Sequence, residues 1–133
     1  MYEKKNFQSA RDVMSKKVIL INGMATAKEA VEIMRKEGIE SLIIKKRNPQ
    51  DVCGVVSIYD LIKGVILQNK TSEEVNVFEI MTKPVISVPA NMDAKYAASL
   101  LTNVGIRMAP VEENGEYIGM ISLSDIILEN LFF

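Results

Sequence analysis

Gly54-Val55-Val56-Ser57-Ile58-Tyr59-Asp60 returns later in the chain as Gly119-Met120-Ile121-Ser122-Leu123-Ser124-Asp125. Each copy reads as a β-strand that ends in Ser-x-x-Asp and runs into an apolar helix, Leu61 to Leu67 in the first case and Ile126 to Leu131 in the second. A strand feeding a helix start exposes backbone N–H groups at the positive end of the helix dipole, where an anion such as a phosphate can be held. The same spacing has a plainer reading. In a capping box the Ser oxygen accepts from the N–H three residues on, and the acid reaches back. One copy alone favours the cap; duplication of the whole surrounding pattern raises the ligand reading.

Working outward, the pattern repeats along the chain. Ala10 to Met14 is a short helical turn answered by Val77 to Met81, Ser15 is answered by Thr82, and Val18-Ile19-Leu20-Ile21 by Val85-Ile86-Ser87-Val88. Thr26-Ala27-Lys28-Glu29 is a capping box that opens an amphipathic helix, and Gly38 stops it. Asp93 to Asn103 is its counterpart, with Gly105 where Gly38 stood. Ser41 to Ile44 is a buried-type strand, followed by the polar loop Lys45 to Asp51, a strand from Val52 to Val56 that contains Cys53, and a helix ending near Gln68-Asn69. The second half has Met108-Ala109-Pro110-Val111, the turn Glu112 to Glu116 with the hairpin signal Asn114-Gly115, and Tyr117 to Ile121. Pro110 within a strand predicts an edge position or a free N–H side.

The fold class is therefore α/β (α+β), built from two β-α-β-β-α repeats at 9–68 and 76–133, with a polar tail over 1–8 and a linker over 69–75. A unit of roughly 60 residues buries too little surface to be comfortable alone. Packed together, the two predict a pseudo-two-fold module with a groove where equivalent helix starts meet, a favoured place for a small molecule.

Composition narrows the function. The 133 residues carry a formal net charge of −1, with a pI near 5.6, so no global positive field draws nucleic acid or anionic lipid. Cys53 is the single cysteine and histidine is absent, which removes disulfides, most nucleophilic triads and zinc sites. With no Gly-Lys-Ser/Thr phosphate loop and no acidic cluster spaced for two metals, the chain reads as no enzyme; a nucleotide hydrolase using Asp60 or Asp125 is the competing class. Its first residues lack a signal-peptide core and no apolar run is long enough to span a bilayer, which predicts a cytoplasmic protein without membrane contact. Lys16-Lys17 and Lys45-Lys46-Arg47 read as solvated surface, although the second run could widen a positive rim for a polyphosphate.

The duplicated order, the helix-ending Gly38 and Gly105, the strand Met108 to Val111 and the two Gly-x-x-Ser-x-x-Asp segments resemble a tandem pair of CBS (cystathionine β-synthase) domains, or Bateman module, from about Ala10 to Leu131. The resemblance implies a regulatory, non-catalytic module with no obligatory cofactor and no metal. Such modules bind AMP, ADP, ATP or S-adenosylmethionine in clefts between the repeats and signal to a separate effector protein. By that resemblance Asp60 and Asp125 take the ribose hydroxyls and Ser57 and Ser122 lie near the phosphates, with Tyr59 and Ser124 in the same segments. Adenine contacts come from the opposite repeat: Thr82, Ile86 and Ser87 for Asp60, and Ser15, Ile19 and Leu20 for Asp125. Arg107 matches a basic position that would serve phosphates in the Asp60 cleft, and its counterpart is Glu40, so the Asp60 cleft is expected to prefer phosphorylated ligands. Bateman modules commonly pair, and a second copy would cover Phe132 and Phe133, which predicts a homodimer. A structural dimerisation module without ligand is the alternative.

Overall fold

A computed structural model describes residues 8–131. In chain order the elements are α1 (Ala10–Val13), β1 (Leu20–Ile21), α2 (Ala27–Glu37), β2 (Ser41–Ile44), β3 (Gly54–Ser57), α3 (Ile58–Gly64), β4 (Val88–Pro89), α4 (Ala94–Val104), β5 (Met108–Glu113), β6 (Glu116–Ser122) and α5 (Leu123–Leu128), with 3-10 turns at Ile66–Gln68 and Val77–Glu79. The fold is mixed α+β, with two three-stranded sheets ordered β1-β2-β3 and β4-β5-β6. In each sheet the first pair is parallel and the second antiparallel. The chain divides into two compact units, Ile19–Val85 and residues 8–18 with 86–131. Residues 1–7 of the tail expected over 1–8, and the aromatic pair Phe132-Phe133, lie outside the described residues.

The two long helices follow from local chemistry. Thr26 Oγ1 accepts from the Glu29 N–H at 3.1 Å, and Glu29 Oε1 accepts from the Thr26 N–H at 2.8 Å, fixing the start of α2. Gly38 ends it in the left-handed region at φ 67°. Asp93 caps α4 through the Lys95 N–H, and Gly105 ends it at φ 83°. Each helix buries a narrow stripe, Ala27, Ala30 and Met34 in α2 and Ala94, Ala97 and Leu101 in α4. Alanine there lets the helix axis come close to the sheet beneath.

Neither unit is closed by one sequence repeat. In the unit of residues 8–18 and 86–131, Ser15 and Met120 exchange two backbone hydrogen bonds of 2.8 Å. Thr82 and Val55 do the same in the other unit, at 2.8 and 2.9 Å. Ala10 and Val13 are buried in the core of Val88, Leu101, Val111 and Ile121, while Val77 is buried with Ile21, Leu42, Val56 and Leu61. Burying a valine side chain stabilises by about 1.5–3 kcal/mol. The leading segment of each repeat thus completes the sheet and core that carry the other repeat's Gly-x-x-Ser-x-x-Asp.

That strapping needs glycine. A Cβ on Gly119 would meet the Ser15 carbonyl oxygen at 2.6 Å and collide with Met14 Sδ. One on Gly54 would meet Met81 Sδ at 2.7 Å and the Thr82 carbonyl oxygen at 3.2 Å. Met14 and Met81 therefore pack over the glycines of the repeated motif.

Several expectations need correction. Pro110 is fully buried in the central strand β5, opposite Met120, so of the two expected settings the edge position is excluded, while a side free of ladder pairing agrees with the register. In the other sheet the equivalent Ile43 donates its N–H to the Ile19 carbonyl at 2.9 Å. Proline has no such donor, and the β4–β5 ladder begins one residue further on, at Val88 and Val111. Cys53 lies outside β3 and is half-buried, because its carbonyl accepts from the Val85 N–H and leaves the β2 ladder. The β runs at 18–21 and 85–88 shorten to two-residue strands, the first helix after Ser57 stops at Gly64, and the second stops at Leu128. The Asn114-Gly115 signal is realised as a two-residue hairpin turn with φ of 54° and 81°.

Gly119→Val is expected to destabilise toward the upper end of about 1–3 kcal/mol or beyond, because the clash is with backbone. Gly105→Ala has open space and carries only the left-handed strain of about 1–2 kcal/mol. Urea denaturation midpoints check the order; an equal loss in the two variants would remove the strap from the account.

Candidate functional site

β3 delivers Ser57 in extended conformation to the first turn of α3. Its Oγ accepts from the Asp60 N–H at 3.3 Å, while Asp60 Oδ2 accepts from the Ser57 N–H at 2.8 Å and the Ser57 hydroxyl at 3.0 Å. The plain capping reading is therefore realised. The other carboxylate oxygen, Oδ1, accepts from the Thr82 hydroxyl at 3.2 Å. Capping and a second contact coexist on different oxygens of one side chain. Thr82 reaches this place because its backbone is paired to Val55, two residues before Ser57.

The equivalent position in the other unit is built differently. Ser122 Oγ accepts from the Asp125 N–H at 3.0 Å, but among the described residues the Asp125 carboxylate accepts no hydrogen bond. Ser15 pairs through its backbone with Met120, and its hydroxyl oxygen accepts from the Lys17 N–H at 3.3 Å. Asp125 thus keeps both oxygens for an outside donor.

The helix starts offer less to an anion than their sequence implies. Ile58 donates its N–H to the Glu40 carbonyl at 3.1 Å, and Leu123 donates its own to the Arg107 carbonyl at 3.0 Å. With the Asp60 and Asp125 N–H groups held by serine, the Tyr59 and Ser124 N–H groups are the ones left without an acceptor among the described residues in each first turn. The helices are seven and six residues long, so their dipoles are short as well. The Tyr59 ring is exposed, with Lys63 Nζ 5.4 Å from its centroid.

Arg107 is exposed and, through its carbonyl, sits beside the first turn of α5, in the unit of Asp125; Glu40 occupies the same place beside α3, in the unit of Asp60. Nothing in a one-dimensional reading marks these two carbonyls as helix-start acceptors. Ile19 and Leu20 belong to the unit of Ile19–Val85, where the Ile19 carbonyl accepts from Ile43 and Leu20 is exposed. Ile86, exposed, and Ser87, whose hydroxyl donates to Glu112 Oε1 at 2.9 Å, belong to the other. Lys45, Lys46 and Arg47 follow Ile44, which pairs with Gly54, whereas the Asp60 site lies where Ser41 pairs with Ser57. The basic run therefore stands at the far end of the strands from Asp60, and is no rim to that site.

The CBS domain family matches residues 10–66 and 77–130. A protein of Methanopyrus kandleri, MK0525, is 34% identical over 120 residues, covering 90% of this chain but 61% of its own length, so this chain spans less than two thirds of that relative. Among solved structures, the hexameric CBS-CP12 protein from bloom-forming cyanobacteria superposes with a TM-score of 0.89 at 33% identity, over 94% of this chain and 72% of that one. The CBS domain pair of protein MJ0100, solved in complex with 5′-methylthioadenosine and S-adenosyl-L-methionine, superposes with a TM-score of 0.75 at 26% identity, over 90% of this chain and 93% of that one. Among the described residues no helix is long and apolar enough to cross a membrane. With both repeats matched and both sheets assembled around them, the chain belongs to the CBS-domain family and forms a CBS-domain pair, a type of regulatory module.

Proposed function

We propose that this CBS-domain pair senses adenosine-containing small molecules, AMP, ADP, ATP or S-adenosylmethionine, and passes their occupancy to a partner protein. One observation carries the reading: the Thr82 hydroxyl donates to Asp60 Oδ1 at 3.2 Å, so the motif acid of one repeat and the leading segment of the other meet in one site. A ribose hydroxyl is the same kind of donor and would take the place of Thr82 on that oxygen. At Asp125 both oxygens are open to a cis-diol. The methylthioadenosine and S-adenosylmethionine bound by the MJ0100 pair support the ligand class.

Charge divides the two sites. Arg107 stands beside the Asp125 motif and Glu40 beside that of Asp60. We accordingly assign the phosphorylated ligand to the Asp125 site, with Ser122, Ser124 and Ser15 around it, in preference to the sequence assignment to Asp60. The Asp60 site, with Ser57, Tyr59 and Thr82, then suits an uncharged or cationic adenosyl compound, because a carboxylate near a phosphate opposes binding. The role is one of binding without catalysis: the chain has no histidine, and the Asp60 oxygens already hold three donors. A cytoplasmic homo-oligomer acting on a separate effector completes the reading, and the hexameric CBS-CP12 relative is in keeping with self-association.

Isothermal titration of wild type, Asp60→Ala, Asp125→Ala and Arg107→Ala with AMP and with 5′-methylthioadenosine tests it. Loss of one hydrogen bond to a charged group, about 1.5–3 kcal/mol, corresponds to roughly ten- to hundredfold weaker binding. Asp125→Ala and Arg107→Ala are expected to weaken AMP by that amount, and Asp60→Ala to weaken methylthioadenosine. Loss of AMP binding in Asp60→Ala alone would restore the sequence assignment, and no heat from any adenosyl compound would leave a dimerisation module.

A further inference from the structure

The unit of Ile19–Val85 contains a cavity of about 550 Å³ beside the Ile44–Gly54 end of the β2–β3 ladder, and its lining residues Met81 and Lys83 flank Thr82 in the chain. Its floor is Ile44 and Met81, and Phe78 and Met24 form apolar walls although both are substantially exposed. Gly23 makes room: a Cβ there would stand 3.2 Å from Phe78 Cβ and 3.5 Å from Ile44 Cγ2. The wall is laced in place, with the Phe78 N–H donating to the Gly23 carbonyl at 3.0 Å, Asn76 Nδ2 to the Met24 carbonyl at 2.6 Å, and the Met24 N–H to Asn22 Oδ1 at 2.8 Å. A pocket fixed before its ligand arrives loses less on binding.

Four cations line the same cavity: Lys45, Lys46, Arg47 and Lys83. Lys83 Nζ stands 2.7 Å from Asp51 Oδ1, and Arg47 Nε 3.0 Å from Oδ2, so these two share one carboxylate. Lys83 first, and Arg47 with it, hold that carboxyl well below the usual range, so it stays an anion and anchors the loop. Lys45 and Lys46 have no ion-pair partner among the described residues. Positive charge is thus in surplus at one apolar cavity in a chain whose net charge is −1. The volume falls within the roughly 300–1,000 Å³ of small-molecule sites.

We propose that this cavity is a second binding site, separate from the Asp60 and Asp125 positions, for a small phosphorylated or sulfonated compound with a flat apolar body. The body lies against Phe78 and Met24 while Lys45 and Lys46 take the anionic group. The Ile44–Gly54 end of the β2–β3 ladder is three residues, or about 10 Å, from the Ser41–Ser57 end that leads to Asp60.

The test is titration of the ¹⁵N-labelled chain with 1-naphthyl phosphate, which has no ribose for Asp60 to hold. The amides of Gly23, Met24, Lys45, Lys46 and Phe78 are expected to shift with saturation while those of Ser57, Asp60 and Asp125 stay in place. The double variant Lys45→Glu, Lys46→Glu changes exposed loop residues and is expected to weaken binding at least about tenfold, with the melting temperature unchanged. Asp60→Ala is expected to bind as wild type. The site is overturned by unsaturable or absent shifts at these amides, by undiminished affinity in the double variant, or by inorganic phosphate or 1-naphthol alone matching the full affinity.

Discussion

The interaction on which the rest depends is the close backbone approach of Ser15 to Gly119 and Met120, and of Thr82 to Gly54 and Val55. A pair of hydrogen bonds at each place straps the leading segment of one repeat to the sheet that carries the other repeat's motif. A Cβ at Gly119 would overlap the Ser15 carbonyl, and one at Gly54 would crowd Met81 and the Thr82 carbonyl. The glycine of Gly-x-x-Ser-x-x-Asp therefore serves packing, and packing delivers the Thr82 hydroxyl to Asp60. Fold and candidate site are consequences of one contact. Two segments of marginal size are each completed by a piece of the other.

The two units share this skeleton and differ in what they hang on it. Asp60 is engaged on both oxygens, and the Asp125 carboxylate accepts no hydrogen bond among the described residues. Glu40 faces one helix start through its carbonyl and Arg107 the other. One sheet closes with a tight two-residue hairpin at Asn114-Gly115, the other with the long loop between Ile44 and Gly54. That loop carries the basic residues that line the cavity beside Phe78, and Asp51, which pairs with Arg47 and Lys83 of that lining. Duplication gives two similar frames that differ in charge and in loop length.

Much of this was legible in the sequence because periodic signals act locally. The Thr26 box, the glycine stops, the Asn-Gly hairpin and the strand Ser41–Ile44 each follow from a few adjacent residues. The rest depends on register and on contacts far apart in the chain. Pro110 suggested an edge position or a free N–H side because a lost donor is visible in sequence, whereas the short partner strand that leaves it unpaired in the middle of a sheet is not. Asp60 looked like either a cap or a ligand residue; that Oδ2 makes the cap while Oδ1 takes the Thr82 hydroxyl is a matter of geometry. Lys45 to Arg47 suggested a rim for the repeated motif, and only the pairing of Ile44 with Gly54 places them at the opposite end.

Native-state amide hydrogen exchange at Ser15, Val55, Thr82 and Met120 tests the strap directly. The account predicts that all four amides are protected to the same degree as core positions such as Leu42 and Ile121, opening only with their whole unit. Exchange of Ser15 and Thr82 at the rate of the exposed Lys45–Gln50 loop, with the core still protected, would contradict it.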